Sequence, residues 1–214
     1  MKLSSYLTVN HEGNHEINIQ KSRFIGYIKR VESEAEAQTF IQAIRKKHHD
    51  ATHNCFAYMI GENDQIQKAN DDGEPSGTAG VPILEVIKKQ ALKNTAVVIT
   101  RYFGGVKLGA GGLIRAYSRA TAEAIKMTGV VKRQLMQIFK VTVDYSLIGK
   151  LENDIHRSNY VLAHTEYLEN VSFHIYVAID QTESFKQWIV DLTNDQATIA
   201  ELDQTYIEQT IKST

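Results

Sequence analysis

Asn70 to Leu84 reads NDDGEPSGTAGVPIL, and Thr100 to Arg119 reads TRYFGGVKLGAGGLIRAYSR. Eight of the chain's thirteen glycines and both of its prolines fall between Gly73 and Gly112. Glycine permits positive φ and close approach of another backbone or a ligand, at an entropic cost that the fold must offset. Two glycine-rich loops, each running into a helix, mark the place of a site.

The second stretch begins as a strand. Ala96 to Phe103, AVVITRYF, is nearly all apolar before Arg101, the pattern of a strand buried on both faces. Gly104, Gly105, Gly109, Gly111 and Gly112 follow, then a helix over about Leu113 to Lys126 with Leu113, Ala116, Tyr117 and Ala120 at core spacing. Strand, glycine loop and helix start together suit an anionic ligand, because backbone N–H groups and the helix N-terminus point at it. Arg101, Lys107, Arg115 and Arg119 would add positive charge. The nucleotide patterns fail: Ala110 follows Gly109, so there is no GxxxxGK[ST], and Ile114 stands where GxGxxG needs its third glycine. For Gly111 and Gly112, tight packing of the helix on the sheet is an equally supported reading.

The first stretch places Asp71, Asp72 and Glu74 beside Ser76 and Thr78. Close carboxylates can hold Mg²⁺ or work as an acid and base pair, and Ser76 could take His53 as its base. The GEPSG spacing does not fit a GxSxG nucleophile elbow, and no third orienting residue is identifiable. No catalytic residue is therefore assigned. Asp71, Asp72, Glu74, His53 and Ser76 are the candidates if the chain is an enzyme. The preferred reading has the three carboxylates capping turns or pairing with Arg101 and Arg115.

Upstream, residues 15–20 alternate as a half-buried strand, and Phe24 to Val31 form a second. Ser33-Glu34-Ala35-Glu36 is a capping-box signature before a helix with Ala37, Phe40, Ile41 and Ile44 on its inner face. Arg45, Lys46 and Lys47 end that helix, where cations suit the dipole. The cluster at His48, His49 and His53 lacks the partners of a zinc site, and no metal is expected. Cys55 to Ile60 and Gln65 to Ala69 read as strands joined by a turn, and PILEVIKKQAL as a helix with Pro82 in its first turn. Cys55 reads as a small buried hydrophobe.

At 214 residues, 43% hydrophobic and 23% charged, the composition is that of a soluble globular protein. No apolar run reaches the roughly 20 residues that span a bilayer, and MKLSSYLTVNHEGN is too polar for a secretory leader. One cysteine excludes an internal disulfide and suits a cytoplasmic location. The net charge of −1 hides a split. Residues 1–132 hold 18 Lys+Arg against 13 Asp+Glu, and residues 133–214 hold 6 against 12. Two domains with those bounds are expected, any polyanion-facing surface lying on the first.

Residues 133–214 read as strand, helix, two strands, helix and strand. Strands are expected at Gln137 to Tyr145, Val161 to Leu168, Val171 to Ile179 and about Thr198 to Glu208. Ser146 would cap the first helix and Phe185, Trp188, Ile189 and Leu192 would face the core from the second. This is the ferredoxin-like βαββαβ pattern. His164 and His174 fall at outward positions, and a docking role is expected.

The segments DDGEPSGTAGVPIL and RYFGGVKLGAGGLIRAYSRA resemble the signature of the IMPACT family in its bacterial YigZ-type form, and the likeness covers the whole chain. His53, in ATHNCFAY, also matches a family position. The resemblance implies an α+β protein whose first domain has the two-layer α/β fold of elongation factor G domain IV, with a left-handed βαβ crossover. It implies a second domain like domain V of that factor. Eukaryotic relatives act in translational control but carry an additional N-terminal interaction domain, so that partnership does not transfer. The paired metal-ligand pattern of a metallopeptidase is absent. The expectation is a non-enzymatic cytoplasmic protein without a cofactor, contacting RNA, the ribosome or translation factors through Arg101, Gly104, Gly105, Lys107, Gly109, Gly111, Gly112, Arg115 and Arg119. A small hydrolase and a docking adaptor without nucleic-acid affinity are the alternatives.

Overall fold

The computed structural model describes residues 2–210. They separate into two compact units. One takes in Tyr6–Lys132 with Gln209 and Thr210; the other takes in Arg133–Glu208 with residues 2–5. Among the described residues no helix is long and apolar enough to cross a membrane.

The larger unit is built on a five-stranded antiparallel sheet. Its strands are β2 (Gly13–Ile19), β3 (Ser22–Arg30), β4 (His53–Ile60), β5 (Ile66–Asn70) and β6 (Thr95–Tyr102), in the order β2-β3-β6-β4-β5. A short strand, β1 (Ser5–Val9), precedes them and buries Val9 in the core. The helices are α1 (Glu34–Lys47), α2 (Gly80–Lys89) and α3 (Gly109–Thr128). Ser33 caps α1 by accepting from Glu36 N, and the Glu36 carboxylate accepts in turn from Glu32 N. The capping box thus closes one residue further out than the simple pattern.

Period-2 alternation in three strands sends alternate side chains to opposite faces. Phe24, Ile28, Cys55, Ala57, Met59, Val97 and Ile99 meet α2 and α3. Ile25, Tyr27, Phe56, Tyr58, Ala96 and Val98 meet Phe40, Ile41 and Ile44 of α1. The central strand β6 is therefore buried on both faces within an antiparallel sheet, because helices cover both sides. The α+β class holds, with α1 adding a layer to the one formed by α2 and α3.

Strands β3 and β4 both oppose β6, so they are parallel to each other and are joined through α1. Strands β5 and β6 both oppose β4, so they too are parallel, and α2 joins them on the other face. The two steps cross the sheet in opposite directions, and their strands also point in opposite directions, so these reversals cancel. The opposite faces then leave the two crossovers with opposite hands. One is left-handed, against the usual rule for such connections.

The smaller unit contains most of β7 (Val130–Val143), then α4 (Ile148–Arg157), β8 (Val161–Tyr167), β9 (Val171–Ala178), α5 (Thr182–Thr193) and most of β10 (Thr198–Thr210). Strand β9 lies between β7 and β8, and β10 pairs the other side of β7, which is the ferredoxin-like order. Phe139, Val141, Phe173 and Ile175 pack against Leu151 and Ile155 of α4 and Phe185 and Ile189 of α5. Ser146 does not cap α4. It lies in a 3-10 turn, Tyr145–Leu147, and among the described residues no side chain caps the helix behind it.

Candidate anion-binding cleft

The two glycine-rich loops meet. Glu74 and Pro75 from the first, and Lys107, Leu108, Gly109 and Ala110 from the second, line one cleft of about 330 Å³ with Arg101, Phe103 and Leu113. Helix α3 begins at Gly109 and not near Leu113, so Gly109, Gly111 and Gly112 form its first turn. Among the described residues no side chain caps this helix, and no acidic residue lies in its first turn. Its first N–H groups are the unsatisfied donors that every helix start leaves. A Cβ at Gly111 would meet only Arg115 Nη1 at 3.6 Å, and one at Gly112 only Leu108 Cβ at 3.0 Å. Neither glycine sits against a strand, so close packing on the sheet does not account for them.

Arg101 forms the floor. The alternation that points Val97 and Ile99 at α3 points Arg101 the same way, and only 4% of it is exposed. Nη1 donates to Glu74 Oε1 at 2.6 Å and Nη2 to Ser22 Oγ at 3.3 Å. The guanidinium also lies over the rings of Phe24 and Phe103, at 5.4 and 5.5 Å. Tyr117 OH donates to the same Glu74 oxygen at 2.8 Å. The tyrosine stood in the sequence as a core residue of α3. A buried phenol needs a partner for its hydroxyl, which is the one signal that could have flagged it. Burial pushes both the Tyr117 hydroxyl and the Cys55 thiol far up, and the adjacent Glu74 adds to both shifts. Neither is a nucleophile at neutral pH.

The acidic loop is engaged in holding the backbone. Asp71 Oδ2 accepts from Gly77 N at 2.9 Å, and Oδ1 from Ala79 N and Gly80 N at 3.0 and 2.8 Å. It therefore caps α2 from nine residues away. Burial works to raise its carboxyl, but these three N–H groups outweigh it and hold the pKa below the ordinary value. Asp72 accepts from Arg45 Nη2 at 2.6 Å and from Asn54 N at 2.7 Å. His53 Nδ1 donates to the Asp72 carbonyl at 2.8 Å, leaving Nε2 3.7 Å from Glu74 Oε2. Ser76 is exposed, and no hydrogen bond joins it to His53 among the described residues. Asp71, Asp72 and Glu74 do not converge as ligands of one ion among those residues.

Of the basic residues expected at the site, Lys107 lines the cleft, while Arg115 and Arg119 are exposed farther along α3. Arg101 differs in kind, being neutralised by Glu74. Phe103 is 46% exposed, and Val106 and Ile114 are also exposed.

Upstream, His48 is structural, while His49 is exposed. Tyr27 OH bonds His48 Nε2 at 2.6 Å, His48 Nδ1 bonds Tyr102 OH at 2.9 Å, and Tyr102 OH donates to Asp50 Oδ1 at 3.0 Å. Because the Tyr102 proton goes to Asp50, His48 donates from Nδ1, and in the neutral ring Nε2 accepts from Tyr27 OH. Burial, and then the charge of Lys47, lower its pKa below 6.5. The unfolded chain thus binds a proton that the folded one refuses. His48 contributes stability above pH 6.5 that is lost as pH falls through the folded value. Thermal unfolding of wild type should show this fall, and His48→Phe should flatten it; an unchanged slope in the variant would rule the contribution out.

Comparison with known proteins bears on the whole chain. Residues 20–125 match the Impact N-terminal domain and residues 141–196 a domain of unknown function, DUF1949. IMPACT family member YvyE of Bacillus subtilis is 56% identical over 209 residues, 98% of this chain and 96% of that one. The chain belongs to the IMPACT family. An IMPACT family member of Thermus thermophilus is 40% identical over 158 residues, 72% of this chain and 83% of its own. An IMPACT homologue of Dictyostelium discoideum is 39% identical over 94 residues, which are 42% of this chain but 27% of its own. A crystal structure of a hypothetical protein matches with a TM-score of 0.60 at 24% identity, over 94% of this chain and 98% of that one. At that identity it speaks for the fold. The motif-bearing loops of this IMPACT family member, Asn70 to Leu84 and Thr100 to Arg119, fall inside the matched Impact N-terminal domain.

Proposed function

We propose that this IMPACT family member is a translation-associated binding protein that contacts RNA, free or on the ribosome, at the cleft between its glycine-rich loops. The carrying observation is the uncapped start of α3, which opens beside Lys107 into a cleft walled by Phe103. Helix N–H groups and a lysine suit a backbone phosphate, and an exposed aromatic ring suits a stacked base. The translational half of the reading rests on the family resemblance, which is an association and not a mechanism. The enzymatic alternative is weakened because Asp71 and Asp72 already have backbone and arginine partners.

Binding of labelled single-stranded and structured RNA, and of ribosomal subunits, titrated against salt, tests the proposal. Counterion release makes log K fall by about 0.7–0.9 per neutralised phosphate for each unit of log[salt]. Lys107→Glu should abolish the salt-dependent affinity and Arg115→Glu should weaken it. No binding at low salt, or binding indifferent to both substitutions, would end the RNA reading and leave docking on a protein.

A further inference from the structure

The smaller unit carries a side-chain cluster that the proposed function does not use. The register of the sheet sets Lys140 of β7 opposite His174 of β9, and His174 opposite His164 of β8. Glu166 lies two residues along β8 from His164, on the same face. This face is the one away from the core, since Phe173 and Ile175 take the inner side of β9. The ligand atoms of His164, Glu166 and His174 all lie within 4.8 Å of one another.

We propose that His164, Glu166 and His174 form a binding site for a divalent metal ion of the zinc class. Two imidazoles and a carboxylate are a donor set suited to Zn²⁺, and also to Ni²⁺ and Cu²⁺. The two imidazoles face the two oxygens of one carboxylate. His174 Nε2 lies 3.4 Å from Glu166 Oε2, and His164 Nε2 lies 3.5 Å from Glu166 Oε1. Ligands about 2.1 Å from a tetrahedral zinc stand about 3.4 Å apart.

A second observation is independent of the spacing. His174 is only 8% exposed, and its buried Nε2 faces Glu166 Oε2 at 3.4 Å without the geometry of a good hydrogen bond to any described residue. A buried polar atom so weakly satisfied is costly, and an ion held at this nitrogen would reduce the cost. The imidazoles stack with centroids 4.0 Å apart, so one must turn for both to reach the ion. His164 can turn, because 56% of its side chain is exposed. That exposure also leaves a fourth position open to water or to a group from a partner.

Lys140 opposes the ion. Its Nζ sits 3.2 Å from Glu166 Oε2 and must give up that contact when a cation binds. Lys140 therefore sets the affinity, and removing its charge should tighten binding.

The experiment is calorimetric titration of the tag-free full-length chain with Zn²⁺ after chelation and dialysis, at a pH above 7 where imidazole is neutral. One ion per chain is expected. His164→Ala and Glu166→Gln, both on the accessible side of the cluster, should each weaken binding at least ~10-fold, the lower end of the loss seen for mere supporting groups. Lys140→Gln should strengthen it. His49→Ala, in the other histidine-rich segment, should leave it unchanged. No stoichiometric binding would overturn the proposal. So would binding that survives His164→Ala and Glu166→Gln, or binding lost in His49→Ala.

Discussion

Glu74→Ala should lower the unfolding free energy by about 3–5 kcal/mol, the range for breaking a buried ion pair from one side. Glu74 and Arg101 have side chains 4% and 5% exposed, so neither charge has water to fall back on. Removing the carboxylate leaves the Arg101 guanidinium with Ser22 Oγ as its one remaining hydrogen-bond partner among the described residues, and it strips Tyr117 OH of its acceptor. Urea unfolding followed by circular dichroism measures the loss. The companion variant Glu74→Leu/Arg101→Met removes both charges at near-constant volume and should recover much of it, since apolar replacement of a whole pair is often neutral. A loss below ~1 kcal/mol in Glu74→Ala, as for exposed pairs, would show that the pair does not hold the two loops together.

Gly104→Ala should be comparably damaging, for a different reason. A Cβ at this position would lie 2.0 Å from Lys21 O and 2.1 Å from Lys21 C, in the turn between β2 and β3. Those are backbone atoms that cannot rotate away, and Gly104 N also donates to Ser22 Oγ at 3.2 Å. The loop or the hairpin must move, and a loss of about 3 kcal/mol places the variant in the severe tail of point mutations. Gly105→Ala is the control. Its Cβ would meet nothing within 4 Å, but its φ of +82° strains any L side chain, by roughly 1–2 kcal/mol. Comparable losses in the two variants would refute close backbone approach as the reason for Gly104.

Most elements were legible because their signals are local. The capping box at Ser33, the apolar run of β6 and the alternation along β7 and β9 each declare themselves within a few residues. The start of α3 was misplaced by a turn because glycine at Gly109 to Gly112 argues against helix on propensity. Ser146 failed as a cap because a 3-10 turn stands where the helix was expected to begin.

The candidate sites divide in the same way. The sequence by itself determined where the glycines, carboxylates and cations cluster, and that two glycine-rich loops lead into helices. Capping or pairing with Arg101 and Arg115 was open to all three carboxylates in the sequence. Tertiary structure decided that Glu74 takes Arg101, that Asp71 caps α2, and that Asp72 takes Arg45 in place of Arg115. It also brought His164, Glu166 and His174 onto one face of a sheet. The physical reason is the range of the interactions. Helix periodicity and capping are written in neighbouring residues, whereas ion pairing and cross-strand register depend on which strands the topology sets side by side.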